Sequence, residues 1–163
     1  MAKSFLYHNK KIVYRVAGTG NPVILVHGFG EDGTIWDLQA AYLKQNFKII
    51  ILDLPGSGDS ELIDDMSIEG MAEVIHSIIH EENIDRCTVI GHSMGGYITL
   101  ALAEKYWNHL YAFGLFHSSS FADSEEKKTV RLKGIKYINQ HGALEFLKAT
   151  IPNLFSQRTK DER

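Results

Sequence analysis

Four stretches of the chain are largely apolar and rich in branched residues: Val23 to Val26, Phe47 to Leu52, Cys87 to Ile90 and Leu110 to Phe116. Strands buried on both faces of a parallel sheet read this way. Helical patterns separate them. Thr34 to Lys44 is compatible with a helix, and from Ser67 to Glu82 the apolar residues Ile68, Met71, Ala72, Ile75, Ile78 and Ile79 form one helical stripe with Ser67 at the N-cap. Met94 to Lys105 continues the series. Ahead of them, Ser4 to Tyr7 and Ile12 to Ala17 are β-rich runs joined by His8-Asn9-Lys10-Lys11, a hairpin tip, and Gly18 to Pro22 is a turn. Strand, helix and strand in repetition predict right-handed crossovers. The expected fold is a mostly parallel, doubly wound α/β sheet with an N-terminal antiparallel hairpin. From Asp123 the style changes to Lys- and Glu-rich helical segments, Ser124 to Asn139 and Ala143 to Ala149, with no strand between them. Two parts are therefore expected, 1–122 and 123–163.

Composition narrows the class. The 163 residues amount to about one domain's worth, and 44% of them are hydrophobic, enough for a substantial core. The net charge of −3, with both signs interspersed, offers no basic patch for nucleic acid and no polybasic membrane anchor. Neither a signal-peptide core nor a run of eighteen apolar residues occurs, so a cytoplasmic location is expected. The single cysteine, Cys87, cannot close an internal disulfide, and at the start of an apolar strand it reads as a small hydrophobe.

The chemistry centres on Gly91-His92-Ser93-Met94-Gly95-Gly96. A strand that reverses sharply into a helix leaves the serine hydroxyl at the apex, and side chains at Gly91 and Gly95 would collide there. The helix beyond aims unpaired N–H groups and a positive dipole end at the same place. A second glycine motif, His27-Gly28-Phe29-Gly30-Glu31-Asp32-Gly33, formally matches G-x-G-x-x-G, and Asp53 closes the next strand twenty residues after Gly33. Taken alone it is a dinucleotide fingerprint. Glu31 and Asp32, however, put two carboxylates where a pyrophosphate would sit. The competing reading is a loop that lends the Phe29 backbone N–H to an oxyanion hole, with the Met94 N–H as second donor. No cofactor is expected. His76 and His80 have the spacing of a zinc pair, but without the Glu of H-E-x-x-H, and they lie off the apolar stripe beside Glu69, Glu73 and Ser77, so no metal is expected either. His27 and His92 are expected to anchor loops through hydrogen bonds.

Three segments in order, His27 to Gly30, Asp53-Leu54-Pro55-Gly56-Ser57-Gly58-Asp59-Ser60 and Gly91 to Gly96, resemble the signature segments of the α/β-hydrolase fold superfamily. The resemblance covers residues 3 to about 120, and the helices after Asp123 are similar to the start of the helical cap inserted after the sixth strand. It implies acyl transfer to water: Ser93 as nucleophile, Phe29 and Met94 as oxyanion donors, and a small ester, thioester or related acyl compound as substrate. Serine at the elbow separates the chain from the dehalogenases and epoxide hydrolases of this fold, which carry aspartate there. A non-catalytic module holding a small ligand under the cap is the alternative.

Within this resemblance the triad runs Ser, then Asp or Glu, then His. After Ser93 the histidines are His109, His117 and His141. Asp123 is a candidate acid that also fits a helix start, and His117 is a candidate base that also fits a pocket wall. Nothing resembling a terminal Gly-His follows, so the family pattern puts both partners beyond Arg163. Leu110 to Phe116 is moreover written as an interior strand, yet would be left as a sheet edge. The chain is therefore expected to be the N-terminal portion of a longer hydrolase, with the C-terminal strands missing, or to complete its sheet through self-association or a partner chain.

Overall fold

The computed structural model describes residues 2–161. β1 (Ala2–Tyr7) and β2 (Lys10–Ala17) pair antiparallel through a two-residue turn in which His8 and Asn9 take φ of 47° and 64°. Left-handed residues at both central positions match the twist of the strands they join, so Lys10 and Lys11 belong to β2 rather than to the tip. β3 (Asn21–Val26), β4 (Phe47–Leu52), β5 (Cys87–His92) and β6 (Leu110–Phe116) are parallel, and the six-stranded order is β1-β2-β4-β3-β5-β6. The mostly parallel sheet with its antiparallel N-terminal hairpin is the architecture expected from the pattern.

Successive residues of the central strands point to opposite faces. Ile24, Val26, Ile50 and Leu52 pack with Val74, Ile75, Ile78 and Ile79 of α2 (Ile68–Glu81) and Ile98 and Leu102 of α3 (Met94–Tyr106). Val23, Leu25, Ile49 and Ile51 pack with Trp36 and Ala40 of the opposite layer. Both faces are thus covered, which is why β3 and β4 lack polar alternation. The helix expected over 34–44 divides into a 3₁₀ turn, Gly33–Trp36, and α1 (Asp37–Leu43), because the Asp32 carboxylate caps the Thr34 N–H at 2.8 Å and starts the turn early. α2 begins at its expected cap, where the Ser67 hydroxyl accepts from the Gly70 N–H at 3.0 Å.

The strand order places the site. β3 is flanked by β4 on one side and β5 on the other, so the chain reverses its winding direction there. In open α/β sheets the crevice for ligands lies at the carboxyl ends of such strands. The loops that leave β3 and β5 carry the two glycine motifs.

The chain forms two compact units, Met1–Ser120 and Phe121–Arg163. The second holds α4 (Glu125–His141), α5 (Ala143–Thr150), a 3₁₀ turn (Ile151–Leu154) and α6 (Gln157–Asp161). Ser124 caps α4, and the Phe146 ring packs over Gly134. The last two of these elements have no periodic signal in sequence. No helix among the described residues is long and apolar enough to cross a membrane.

Candidate active site

Ser93 sits between the last residue of β5 and the first of α3, exposed, with φ 50° and ψ −115°. This is a sparsely populated conformation for a side chain with a Cβ, and such strain is found where the surrounding structure over-determines it. Three hydrogen bonds do so here. The Ser93 N–H donates to the Phe116 carbonyl at 3.1 Å, and the Ser93 carbonyl accepts from the Gly96 N–H at 3.0 Å and the Ser118 hydroxyl at 2.7 Å. The turn is also closed sterically. A Cβ on Gly91 would fall inside contact with the Gly95 backbone, and one on Gly95 would lie 2.5 Å from the Val26 carbonyl oxygen. No side chain caps α3.

The loop after β3 approaches the same point. A Cβ on Gly28 would stand 3.0 Å from the Ser93 Cβ and 3.2 Å from the His92 carbonyl oxygen, so the backbone at Gly28 runs directly beside the serine. Gly30 adopts φ 73°, a left-handed value that turns the loop away again. Phe29, between the two glycines, is 60% exposed.

Glu31 organises this loop. Its Oε2 accepts from the Gly28 N–H at 2.7 Å and lies 2.9 Å from His92 Nδ1, joining the β3 loop to the residue before the serine. A carboxylate only accepts, so His92 donates through Nδ1. The His92 ring rests against Trp36 and Phe116, with ring centroids 6.4 and 5.9 Å away. In sequence Glu31 figures only as a charge hostile to a pyrophosphate. Its contact with His92 spans 61 positions, and no local pattern signals it.

His27 is fully buried and uses both ring nitrogens. Nδ1 donates to the Gly28 carbonyl at 2.9 Å, and Nε2 accepts from the Leu54 N–H at 2.9 Å. Burial holds its pKa below the ordinary histidine range, in keeping with the neutral ring these partners require. Asp53 is likewise occupied: its carboxylate accepts from the Gly33 and Asp59 N–H groups at 3.0 and 3.2 Å. A carboxylate tied to two backbone donors serves as the clamp between loops. The Cys87 thiol is buried, and burial pushes its pKa up to about 12.

The remaining candidates are distributed as follows. His117 follows β6, exposed, with φ 46° and its ring 6.4 Å from that of His92. Asp123 belongs to the second unit, where Arg131 pairs with it and holds its carboxyl below the usual range. His141 ends α4 and its ring packs at 4.5 Å on Tyr137. His76 and His80 stand together on α2, and the fold brings His109 beside them.

Residues 21–113 match the family model described as alpha/beta hydrolase fold. The chain belongs to this family. Among curated relatives, the (E)-2-((N-methylformamido)methylene)succinate hydrolase of Acinetobacter baylyi is 32% identical over 99 residues, covering 60% of this chain and 38% of its own length. An uncharacterized protein of Mycobacterium tuberculosis is 33% identical over 100 residues, 61% of this chain and 29% of its own. The chain thus spans between a quarter and two fifths of these relatives. A thermophilic esterase from Thermogutta terrifontis superposes with a TM-score of 0.83 at 29% identity, over 93% of this chain and 58% of the esterase. Est816, described as degrading N-acyl homoserine lactones, gives a TM-score of 0.86 at 22% identity, over 99% of this chain and 61% of its own; at that identity the likeness is one of fold. The Acinetobacter baylyi relative is a hydrolase and the Thermogutta terrifontis neighbour an esterase.

Proposed function

We propose that this α/β-hydrolase chain carries the nucleophile and oxyanion hole of a serine hydrolase acting on a small ester or related acyl compound. The observation that carries the reading is Ser93 itself, held at φ 50° and ψ −115° at the apex of a strand-to-helix turn beside Gly28. A serine needs no such backbone for packing, and a strained, exposed hydroxyl at the carboxyl edge of the sheet is what attack on a carbonyl requires.

In the proposed reaction the Ser93 hydroxyl gives its proton to a base as its oxygen bonds to the acyl carbon. The negative charge passes to the carbonyl oxygen, and the Phe29 and Met94 N–H groups receive it. Collapse of that intermediate breaks the bond to the leaving alcohol, which takes up the proton. Water then releases the acyl group by the reverse sequence. His27 and Glu31 act as positioning residues, since both fix the loop that carries Phe29 without facing the reacting atoms. The proposal assigns the proton-accepting histidine and its acid to the further length that the relatives possess and this chain does not span.

Covalent capture tests the assignment. The native protein should be labelled by a serine-directed fluorophosphonate at one residue, found by peptide mapping to be Ser93. Ser93→Ala should fold normally and take no label, whereas labelling that survives this change refutes the nucleophile.

A further inference from the structure

His76 and His80 lie one turn apart on α2, and their Nε2 atoms are 3.1 Å apart. His109 ends the 3₁₀ turn Trp107–His109, which joins α3 to the edge strand β6. A ligating nitrogen from each of the three falls within 4.8 Å of the others, and they form the one such histidine, cysteine or carboxylate group among the described residues. We propose that these three histidines form a zinc-binding site, independent of the serine site, that ties α2 to the α3–β6 junction.

Three features point to a metal. The first is the bite. Two nitrogens bound to one tetrahedral zinc at ~2.0–2.1 Å are about 3.3 Å apart, close to the 3.1 Å between His76 and His80. The second is the orientation of His109, whose Nδ1 lies 2.9 Å from the Asp85 carbonyl oxygen. A carbonyl cannot donate, so Nδ1 carries the hydrogen and Nε2 keeps its lone pair. Ligating histidines are commonly fixed in this way, with the remote nitrogen donating to a backbone carbonyl. The third is the support of His76, whose ring stacks on Tyr106 at 3.5 Å and 8° and is thereby held in one plane. Tyr106 is fixed in turn, because its hydroxyl donates to the Glu73 carboxylate, which also receives Lys105 at 2.6 Å.

The alternative, a plain hydrogen-bonded histidine cluster, accounts for the His76–His80 distance. It assigns no role to the third imidazole, whose ring centroid lies 5.3 and 5.5 Å from the other two and whose Nδ1–H is taken up by the Asp85 carbonyl. His80 is exposed and the other two are half-buried, so an ion enters from solvent and keeps one coordination position open. The location separates this site from the serine. His109 precedes the first residue of β6, whereas Phe116 at its other end pairs with His92. At ~3.3 Å per residue the two ends of β6 are about 20 Å apart.

Calorimetric titration of the chelator-treated full chain with zinc chloride tests the site, with cobalt(II) absorption as a reading of geometry. One zinc per chain is expected, together with tetrahedral cobalt bands and a zinc-dependent rise in thermal midpoint. His80→Ala, at an exposed position, and His109→Ala should each weaken binding at least ~10-fold and abolish the rise, while Ser93→Ala should bind as the parent does. Absence of saturable zinc binding, or binding that both histidine variants retain, overturns the proposal.

Discussion

At the scale of single residues, strain and one carboxylate define the serine site. The conformation of Ser93 costs about 1–3 kcal/mol in a residue with a side chain, and glycine relieves it at an entropic penalty of roughly 0.5–1 kcal/mol. Ser93→Gly should therefore raise stability by about 1 kcal/mol in urea unfolding while removing the nucleophile. A variant less stable than the parent would mean that the turn imposes no strain. Glu31 makes the opposite case. Its carboxylate receives the Gly28 N–H and the His92 ring at once, so Glu31→Ala leaves a partly buried donor without its partner, at a cost of about 1–3 kcal/mol. The loop bearing Phe29 should loosen, and fluorophosphonate should label Ser93 more slowly. Glu31→Gln keeps an acceptor for Gly28 and should recover much of both; equal labelling rates in all three proteins would show that the loop holds without this side chain. The sequence shows Ser93 plainly because Gly91 and Gly95 flank it at fixed spacing. Glu31 could not be seen, because its role depends on His92, which the direct pairing of β3 with β5 brings near.

At the scale of elements, what could be read was what periodicity encodes. The apolar stripe from Ile68 to Ile79 and its cap at Ser67 appear where expected, because burial and capping are both local in sequence. The break of the first helix at Trp36 was hidden, since it depends on the Asp32 side chain competing for the first turn. His109 was hidden for a different reason: the α2 pair is visible at spacing four, while the third imidazole arrives through a crossover. β6 carries the clearest element-scale consequence. It lies at the sheet's edge, and Tyr111, Phe113 and Phe116 on it are 63%, 49% and 46% exposed. Edges of this kind invite pairing. The chain studied by itself should self-associate as its concentration rises, and Phe113→Lys should shift the sedimentation coefficient toward the monomer. Identical sedimentation of parent and variant across the concentration range would argue that this edge attracts nothing.

At the scale of the first unit, Glu82 ties the N-terminal strands to the helix layer. It follows α2, and its side chain, 5% exposed, receives Lys3 of β1 at 2.6 Å, Lys48 of β4 at 2.7 Å and the Tyr14 hydroxyl of β2 at 2.9 Å. One carboxylate therefore bridges three strands of the sheet and the end of a helix. Burial alone would raise its pKa, but the hydrogen bonds from Lys3, Lys48 and Tyr14 and the Lys48 charge outweigh that and hold it at about 2, against an ordinary 4.5. Because the folded value lies below the unfolded one, the stabilisation is present above about pH 4.5 and is lost as the pH falls toward 2. With allowance for screening at the partly exposed lysines, the linkage corresponds to about 2 kcal/mol. Glu82→Gln should lower stability at pH 7 by about that much and flatten the decline between pH 4.5 and 2 in urea unfolding followed by circular dichroism. A variant that keeps the parent's slope across this window would place the acid sensitivity in other carboxylates. Neither Lys3 nor Lys48 is near Glu82 in sequence, and each alone reads as an ordinary surface charge; the cluster exists only because the hairpin, the parallel strands and the end of α2 converge.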